Sequence, residues 1–166
     1  MEHLYMIERD GKFGFMNING DVIIKPEFEG FLSSYFSEEL CPFEFGGKCG
    51  FIDQAGLIKI PANFEAATDF SNGLAPVMKN NKWGYINNEG SVAIPFQFCD
   101  ASCFSDDGLA TVEIDGKWGY INKVGAFEIS PIFDEAFDFD GELAKVEINE
   151  KFGYINRDGK TVWMQN

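Results

Sequence analysis

Lys82-Trp83-Gly84-Tyr85-Ile86-Asn87 recurs unchanged as Lys117-Trp118-Gly119-Tyr120-Ile121-Asn122. Altered copies stand at Lys12-Phe13-Gly14-Phe15-Met16-Asn17, Lys48-Cys49-Gly50-Phe51-Ile52-Asp53 and Lys151-Phe152-Gly153-Tyr154-Ile155-Asn156. The central glycines lie 36, 34, 35 and 34 residues apart. A fixed period of this length marks a tandem array, in which one unit is too small to bury its apolar face alone and does so against its neighbours. Residues that recur to build every unit are poor candidates for a once-per-molecule active site.

Working outward from the motif, each unit reads as three strands. A leucine opens the first, ten residues before the motif glycine: Leu4, Leu40, Leu74, Leu109 and Leu143. Apolar residues then alternate, as in Ala110, Val112 and Ile114, and a period of two means strand. Asp115-Gly116 or Asn80-Asn81 joins this run to the motif strand, which reads as a hairpin. A second turn follows, built on the motif Asn or Asp, whose side chain can bond its own backbone, and on a glycine six residues past the motif glycine. The third strand carries Val22 and Ile24, Ile58 and Ile60, Val92 and Ile94, Phe127 and Ile129, or Thr161 and Trp163. Pro26, Pro61, Pro95 and Pro131 are expected to end it, because proline lacks the ladder donor. Phe28, Phe64, Phe98 and Phe133 then return the chain to the core, and Phe36, Phe70, Phe104 and Phe139 follow, so the connectors are predicted to be packed crossovers with a turn of helix as an option. The expected fold is all-β: five tandem three-stranded antiparallel meanders in one domain, with units near 1–36, 37–70, 71–105, 106–139 and 140–166.

At 166 residues the chain suits one compact array that buries roughly two thirds of its unfolded surface. Eighteen Phe, five Tyr and three Trp favour strands. With 27 acidic against 13 basic residues, net charge −14, the chain repels phosphate backbones and anionic membranes, so nucleic acid and membrane are not expected partners. Exposed acids also keep an aromatic-rich β protein soluble and discourage edge pairing. Residues Met1 to Asp10 lack the basic start and apolar run of an export signal, and no stretch approaches the ~20 apolar residues of a membrane span. The expected location is cytoplasmic.

The Lys-Trp-Gly-Tyr-Ile-Asn core, the downstream glycine, the apolar-x-Ile pair, the Pro-x-Phe element and the Leu-Ala pair together resemble the WG (KWG) repeat family over essentially the whole chain. Units three and four fit closely. Unit five has Phe152 for tryptophan, unit one Phe13, and unit two departs most, with Cys49 and Phe51. The resemblance implies a mostly bacterial class of tandem β-repeat modules with variable copy number and no common enzymatic activity. Variable copy number favours an open superhelical or solenoid-like array; a closed five-bladed small propeller is the alternative, since neither end carries the polar cap an open array needs.

Candidate chemistry is sparse. His3 is the only histidine, so nucleophilic catalysis with a histidine base has no obvious site. Carboxylate pairs abound without a local motif, and no glycine-rich loop opens a helix to hold phosphate. The sequence therefore names no catalytic, cofactor-binding or metal-binding residue, and an enzyme is not expected. Asp138-Phe139-Asp140-Gly141-Glu142, with Glu147, imitates part of a calcium loop, but Ala136 takes the first ligand place and no helices flank it. Cys41, Cys49, Cys99 and Cys103 are scattered substitutions: Cys41 at an alanine place, Cys49 at an aromatic place, Cys99 where Glu29, Glu65 and Asp134 stand, Cys103 where Asp69 and Asp138 stand. Free thiols in a reducing compartment are expected.

Two periodic sets merit weighing as binding surfaces. Lys12, Lys48, Lys82, Lys117 and Lys151 could form a basic ladder, or each could lay its stem on a ring and meet an acid such as Glu29, Glu65 or Asp134. Trp83, Trp118, Tyr85, Tyr120 and Tyr154 could be a platform for a sugar or peptide, or core between units. The leading functional expectation is a non-catalytic protein-interaction or scaffold module with an unidentified protein partner. An acidic inhibitory or immunity-type binder of a basic enzyme or toxin and a carbohydrate-binding module are the alternatives, and a small ligand stays compatible with either fold.

Overall fold

Alternating side chains and paired turns build five antiparallel sheets along the chain. The computed structural model describes residues 3–166; Met1 and Glu2, which start the stretch read for an export signal, lie outside them. The first sheet is the meander β1 (Tyr5–Arg9), β2 (Lys12–Met16) and β3 (Val22–Phe28). The second joins β4 (Gly30–Phe31), β5 (Leu40–Phe45), β6 (Lys48–Asp53) and β7 (Ile58–Phe64), and the third β8 (Ala66–Ala67), β9 (Leu74–Lys79), β10 (Lys82–Asn87) and β11 (Val92–Phe98). The fourth holds β12 (Asp100–Ala101), β13 (Ala110–Ile114), β14 (Lys117–Ile121) and β15 (Phe127–Phe133), and the fifth β16 (Glu135–Asp140), β17 (Leu143–Ile148), β18 (Lys151–Asn156) and β19 (Thr161–Met164). Among the described residues there is no helix. The connectors instead supply a front strand to sheets two to five. Each needs partners for its backbone, and finds them in its own sheet: the Glu65, Cys99 and Asp134 amides donate to Met78, Glu113 and Glu147 carbonyls at 2.8 Å.

The turns are as regular as the strands. In every hairpin before the motif both central residues have positive φ, as at Asn80 (54°) and Asn81 (58°) or Asp115 (51°) and Gly116 (76°). That is the type I′ geometry, whose twist matches the flanking strands. After the motif, the Asn or Asp side chain accepts two backbone amides. Asn87 Oδ1 takes those of Glu89 (3.1 Å) and Ser91 (2.9 Å). Asn17, Asp53, Asn122 and Asn156 repeat the arrangement.

The prolines do not end the third strand, contrary to the sequence expectation. β3, β7, β11 and β15 run through Pro26, Pro61, Pro95 and Pro131 to the following phenylalanine. The register explains this. Trp83 faces Phe98 and Tyr85 faces Ile94, so the residues between Ile94 and Phe98 bulge opposite Gly84 alone. In a bulge the ladder is interrupted, and a missing N–H leaves nothing unpaired. The bulge also lays the third strand's backbone on the motif glycine, where a Cβ at Gly84 would stand 2.8 Å from the Ile94 carbonyl oxygen.

The core lies between sheets, not within any one. Leu40, Phe51, Ile60 and Phe64 of the second sheet pack on Ala67, Ala75, Val77 and Ile86 of the third and on Phe70 of its connector. Equivalent clusters fill the junctions of sheets one and two, three and four, and four and five. Each junction holds an aromatic pair: Phe15 and Phe36 at 5.1 Å, Phe51 and Phe70 at 4.9 Å, Tyr85 and Phe104 at 5.0 Å, Tyr120 and Phe139 at 5.2 Å. Polar bridges lie outside them, with Ser37 and Ser71 hydroxyls donating to the Phe70 (2.7 Å) and Phe104 (2.5 Å) carbonyls in the connectors of the next sheet. Among the described residues no core cluster, side-chain hydrogen bond or ion pair joins the first sheet to the fifth, so the array is open.

Candidate interaction surface

The recurring lysines are tied down as the repeat register suggests. Lys12 meets Glu29 (3.8 Å), Lys48 meets Glu65 (3.9 Å) and Lys117 meets Asp134, each seventeen residues on. The same acids reach the hairpin turn of the next unit. Glu29 accepts from Gly46 N (2.7 Å), Glu65 from Asn80 N (3.1 Å) and Asn81 N (2.8 Å), and Asp134 from Asn149 N (2.6 Å). The Asn81 amide beside Glu65 and the Lys117 ammonium beside Asp134 hold these carboxyls below their usual range. Three of the five lysines thus belong to clasps between units, so the set is not a free basic ladder. One clasp is altered: Lys82 Nζ lies 3.3 Å from Cys99 Sγ, where an acid stands elsewhere. Cys99→Glu is expected to complete it and add about 0.5 kcal/mol, the scale of an exposed ion pair. Thermal melting should then rise by about 1–2 °C, and an unchanged or lower midpoint counts against the clasp.

The aromatic platform does not form from the in-register residues. Tyr85 and Tyr120 are buried, and their hydroxyls donate to the carbonyls of Ser102 (2.8 Å) and Phe137 (2.7 Å) at the front of the next sheet. Burial pushes both phenols well above their usual range. Trp83 and Trp118 are half-buried against the cores of their own junctions. Tyr154 alone stands open, 42% exposed beside Trp163 at 56%.

The partial calcium loop is strand and turn: Asp138 and Asp140 lie on β16, and Gly141 turns the chain at φ 64°. Among the described residues no group of three or more His, Cys, Asp or Glu side chains is placed to hold a metal ion. Cys41 and Cys49 are buried, Cys103 is half-buried, Cys99 is exposed, and all four are free thiols. Burial, with Asp69 nearby, pushes the Cys41 thiol up to about 12. Among the described residues no helix is long and apolar enough to cross a membrane.

One polar feature emerges only in three dimensions. Tyr35, Asp69, Cys103 and Asp138 each precede the connector phenylalanine, and stacking of the units brings them into a column beside the front strands. Cys103 Sγ lies 3.3 Å from Thr68 Oγ1 and 3.4 Å from the Asp69 carbonyl. Asp69 Oδ1 is buried without a hydrogen-bond partner. Desolvation raises the Asp69 carboxyl, opposed by the Ser33 and Tyr35 hydroxyls, and desolvation with the Asp107 charge raises Asp138. A carboxyl whose folded pKa is raised costs stability when ionised, and the cost disappears as pH falls through that pKa towards the unfolded value. Asp69→Asn is therefore expected to raise the melting midpoint at pH 7 by a few degrees. The gain should vanish near pH 4, and a gain equal at both pH values contradicts the account.

The remaining surface is acidic, with an apolar cleft of about 300 Å³ between sheets one and two, lined by Glu27, Phe28, Phe43, Phe45, Gly56 and Ile58.

No curated protein matches the chain. Among solved structures it is similar to a eukaryotic initiation factor in crystal form, at 11% identity and TM-score 0.66, over 100% of this chain and 52% of that one. It is also similar to Hsv2 of Kluyveromyces lactis, at 10% identity and TM-score 0.59, over 97% of this chain and 58% of that one. The chain thus spans a little over half the length of these structures. At such identities the likeness shows the fold alone. The family of WG containing repeats matches residues 13–49, 50–83, 83–118 and 118–152 in unbroken succession. Those matches step from motif to motif across most of the sequence, and the chain belongs to the WG containing repeat family.

Proposed function

We propose that the protein is a non-catalytic interaction module that binds a basic protein partner. The observation that carries this reading is the commitment of the recurring residues. The motif glycines hold the bulge, the turn Asn and Asp residues hold the loops, Tyr85 and Tyr120 fill junctions, and Lys12, Lys48 and Lys117 clasp successive units. What is left for a partner is the variable surface, and its net charge of −14 favours a positively charged one, whose approach it would steer. An inhibitory or immunity-type binder of a basic enzyme or toxin is the special case of this reading in which the bound partner loses its activity. We take the cytoplasm as its compartment, since four free thiols suit a reducing environment.

The test is retention of proteins from host lysate on the immobilised chain, followed by rebinding of each purified candidate at about 0.05 and about 0.5 M salt, across which screening lengths shrink severalfold. A basic protein that rebinds tightly at low salt and poorly at high salt fits the proposal. Binding indifferent to salt rejects the electrostatic part, and turnover of a substrate without any retained protein rejects the whole.

A further inference from the structure

We infer that the apolar cleft between the first and second sheets is the anchor site for the partner, taking a large apolar side chain that stands beside a lysine or arginine in a segment of a basic protein. The inference rests on the reading above that the partner is basic, and gives it a place. The cleft, about 300 Å³, has a floor of Phe28 and Phe43, both buried and meeting edge to face at 5.2 Å. Its walls are open. Phe45 ends β5 on the hairpin side of the second sheet and Ile58 begins β7 on the other side, both 57% exposed. The hairpin beside Phe45 is Gly46-Gly47, the one of the five without a side chain at either central place, so the turn leaves the ring uncovered. Apolar side chains left open around one aromatic floor mark an interaction site. A volume at the low end of the roughly 300–1,000 Å³ of ligand pockets suits one or two side chains better than a whole cofactor.

Half of this lining is not required by the repeat. At the place of Glu27 the later units have Asn63, Gln97 and Ile132, at that of Phe43 a valine each time, and at that of Phe45 Lys79, Ile114 and Ile148. Phe28 and Gly56 belong to the common pattern; Glu27, Phe43 and Phe45 do not. The third junction shows what fits. There Phe127 stands at the place of Ile58 and meets Phe98, the counterpart of Phe28, edge-on at 6.4 Å. At the first junction the shorter Ile58 leaves that room to a ring from outside. Charge decides what accompanies the ring. Glu27 is the one charged side chain lining the cleft, and among the described residues it makes no ion pair. Glu29, two residues on, accepts from the Gly46 amide beside Phe45 at 2.7 Å. Lys59, which follows Ile58, is held by Asp53 at 3.2 Å. A ring that enters with a cation on its flank therefore finds carboxylates at the rim, and one that enters with an acid is repelled.

Titration of the nitrogen-labelled full chain with the end-blocked tripeptide Lys-Trp-Lys, followed through backbone amide resonances, tests this. Shifts should concentrate at Phe45, Gly56 and Ile58 and saturate with a Kd of about 1 mM or below. The tripeptides Lys-Gly-Lys and Glu-Trp-Glu should bind about tenfold more weakly or worse. Phe45→Ala, at an exposed place, should weaken Lys-Trp-Lys about fivefold or more while amides elsewhere keep their wild-type positions. Glu27→Gln should weaken it about two- to fivefold, the scale of an exposed ion pair. Absence of a saturable shift up to about 10 mM, well above that Kd, overturns the proposal. So do equal shifts with Lys-Gly-Lys, and so do shifts spread over the acidic surface that persist in Phe45→Ala. The two readings fail separately. A basic protein from the lysate test that wild type, Phe45→Ala and Glu27→Gln bind equally, with its salt dependence intact, sinks the cleft and leaves the basic-partner reading standing. Saturable binding of Lys-Trp-Lys at the cleft with no protein retained sinks that reading alone.

Discussion

Gly119→Val should lower the melting temperature by about 6–12 °C, the equivalent of at least about 3 kcal/mol in a chain of this size. The reason is backbone, not side chain. A Cβ at Gly119 would stand 2.7 Å from the Ile129 carbonyl oxygen, 2.8 Å from Pro131 N and 2.9 Å from Pro131 Cα. None of these atoms can turn aside without moving the bulge that carries Phe133 into the core. Gly84→Val meets the same obstacle at 2.8 Å from Ile94 O. The control is Gly116→Ala, at φ 76° with nothing within 4 Å of its Cβ. It carries only the left-handed penalty, about 1–2 kcal/mol. If thermal denaturation followed by circular dichroism put Gly119→Val at or above Gly116→Ala, close approach of the bulge would not be what selects glycine there.

Phe104→Ala should cost about 3–5 kcal/mol, as truncation of a fully buried ring does. Phe104 is 1% exposed and packs on Tyr85 across the third junction, so its loss weakens one seam of the array and leaves the sheets intact. In a one-dimensional stack the seams set cooperativity. The variant should therefore unfold in denaturant with a broadened or two-step transition, the first three sheets separating from the last two. Truncating Phe45, 57% exposed, should shift the midpoint by under about 1 kcal/mol and keep a single transition. A sharp single transition in Phe104→Ala would mean that the sheets do not divide at their junctions.

Much of this architecture was legible because the chain states it five times. The period gave the units, alternation gave the strands, and Asp-Gly and Asn-Asn gave the hairpins, whose type I′ geometry the structure supplies. The pairing of Lys12, Lys48 and Lys117 with Glu29, Glu65 and Asp134 could be read from their common offset. Proline misled: Pro95 looks like a strand end because a ladder N–H is missing, and only the register of Trp83 with Phe98 reveals a bulge that needs none. The front strands were hidden for a different reason. A two-residue segment such as Ala66–Ala67 has no period to detect, and it is a strand only because β9 lies beside it. The column of Tyr35, Asp69, Cys103 and Asp138 was half visible. The equivalence of Cys103 with the two aspartates is in the alignment of the units, but their mutual desolvation arises from stacking, which no single unit encodes.

The order of the junctions bears on how the protein is made. Each sheet finds its covering partner within the next thirty-five or so residues, never at the far end of the chain, so contacts can form in the sequence in which the ribosome delivers them. A nascent chain would then be built sheet by sheet, and at every pause its newest sheet would show an aromatic face to the cell. The acids spread along the strands are on hand to keep such unfinished intermediates apart.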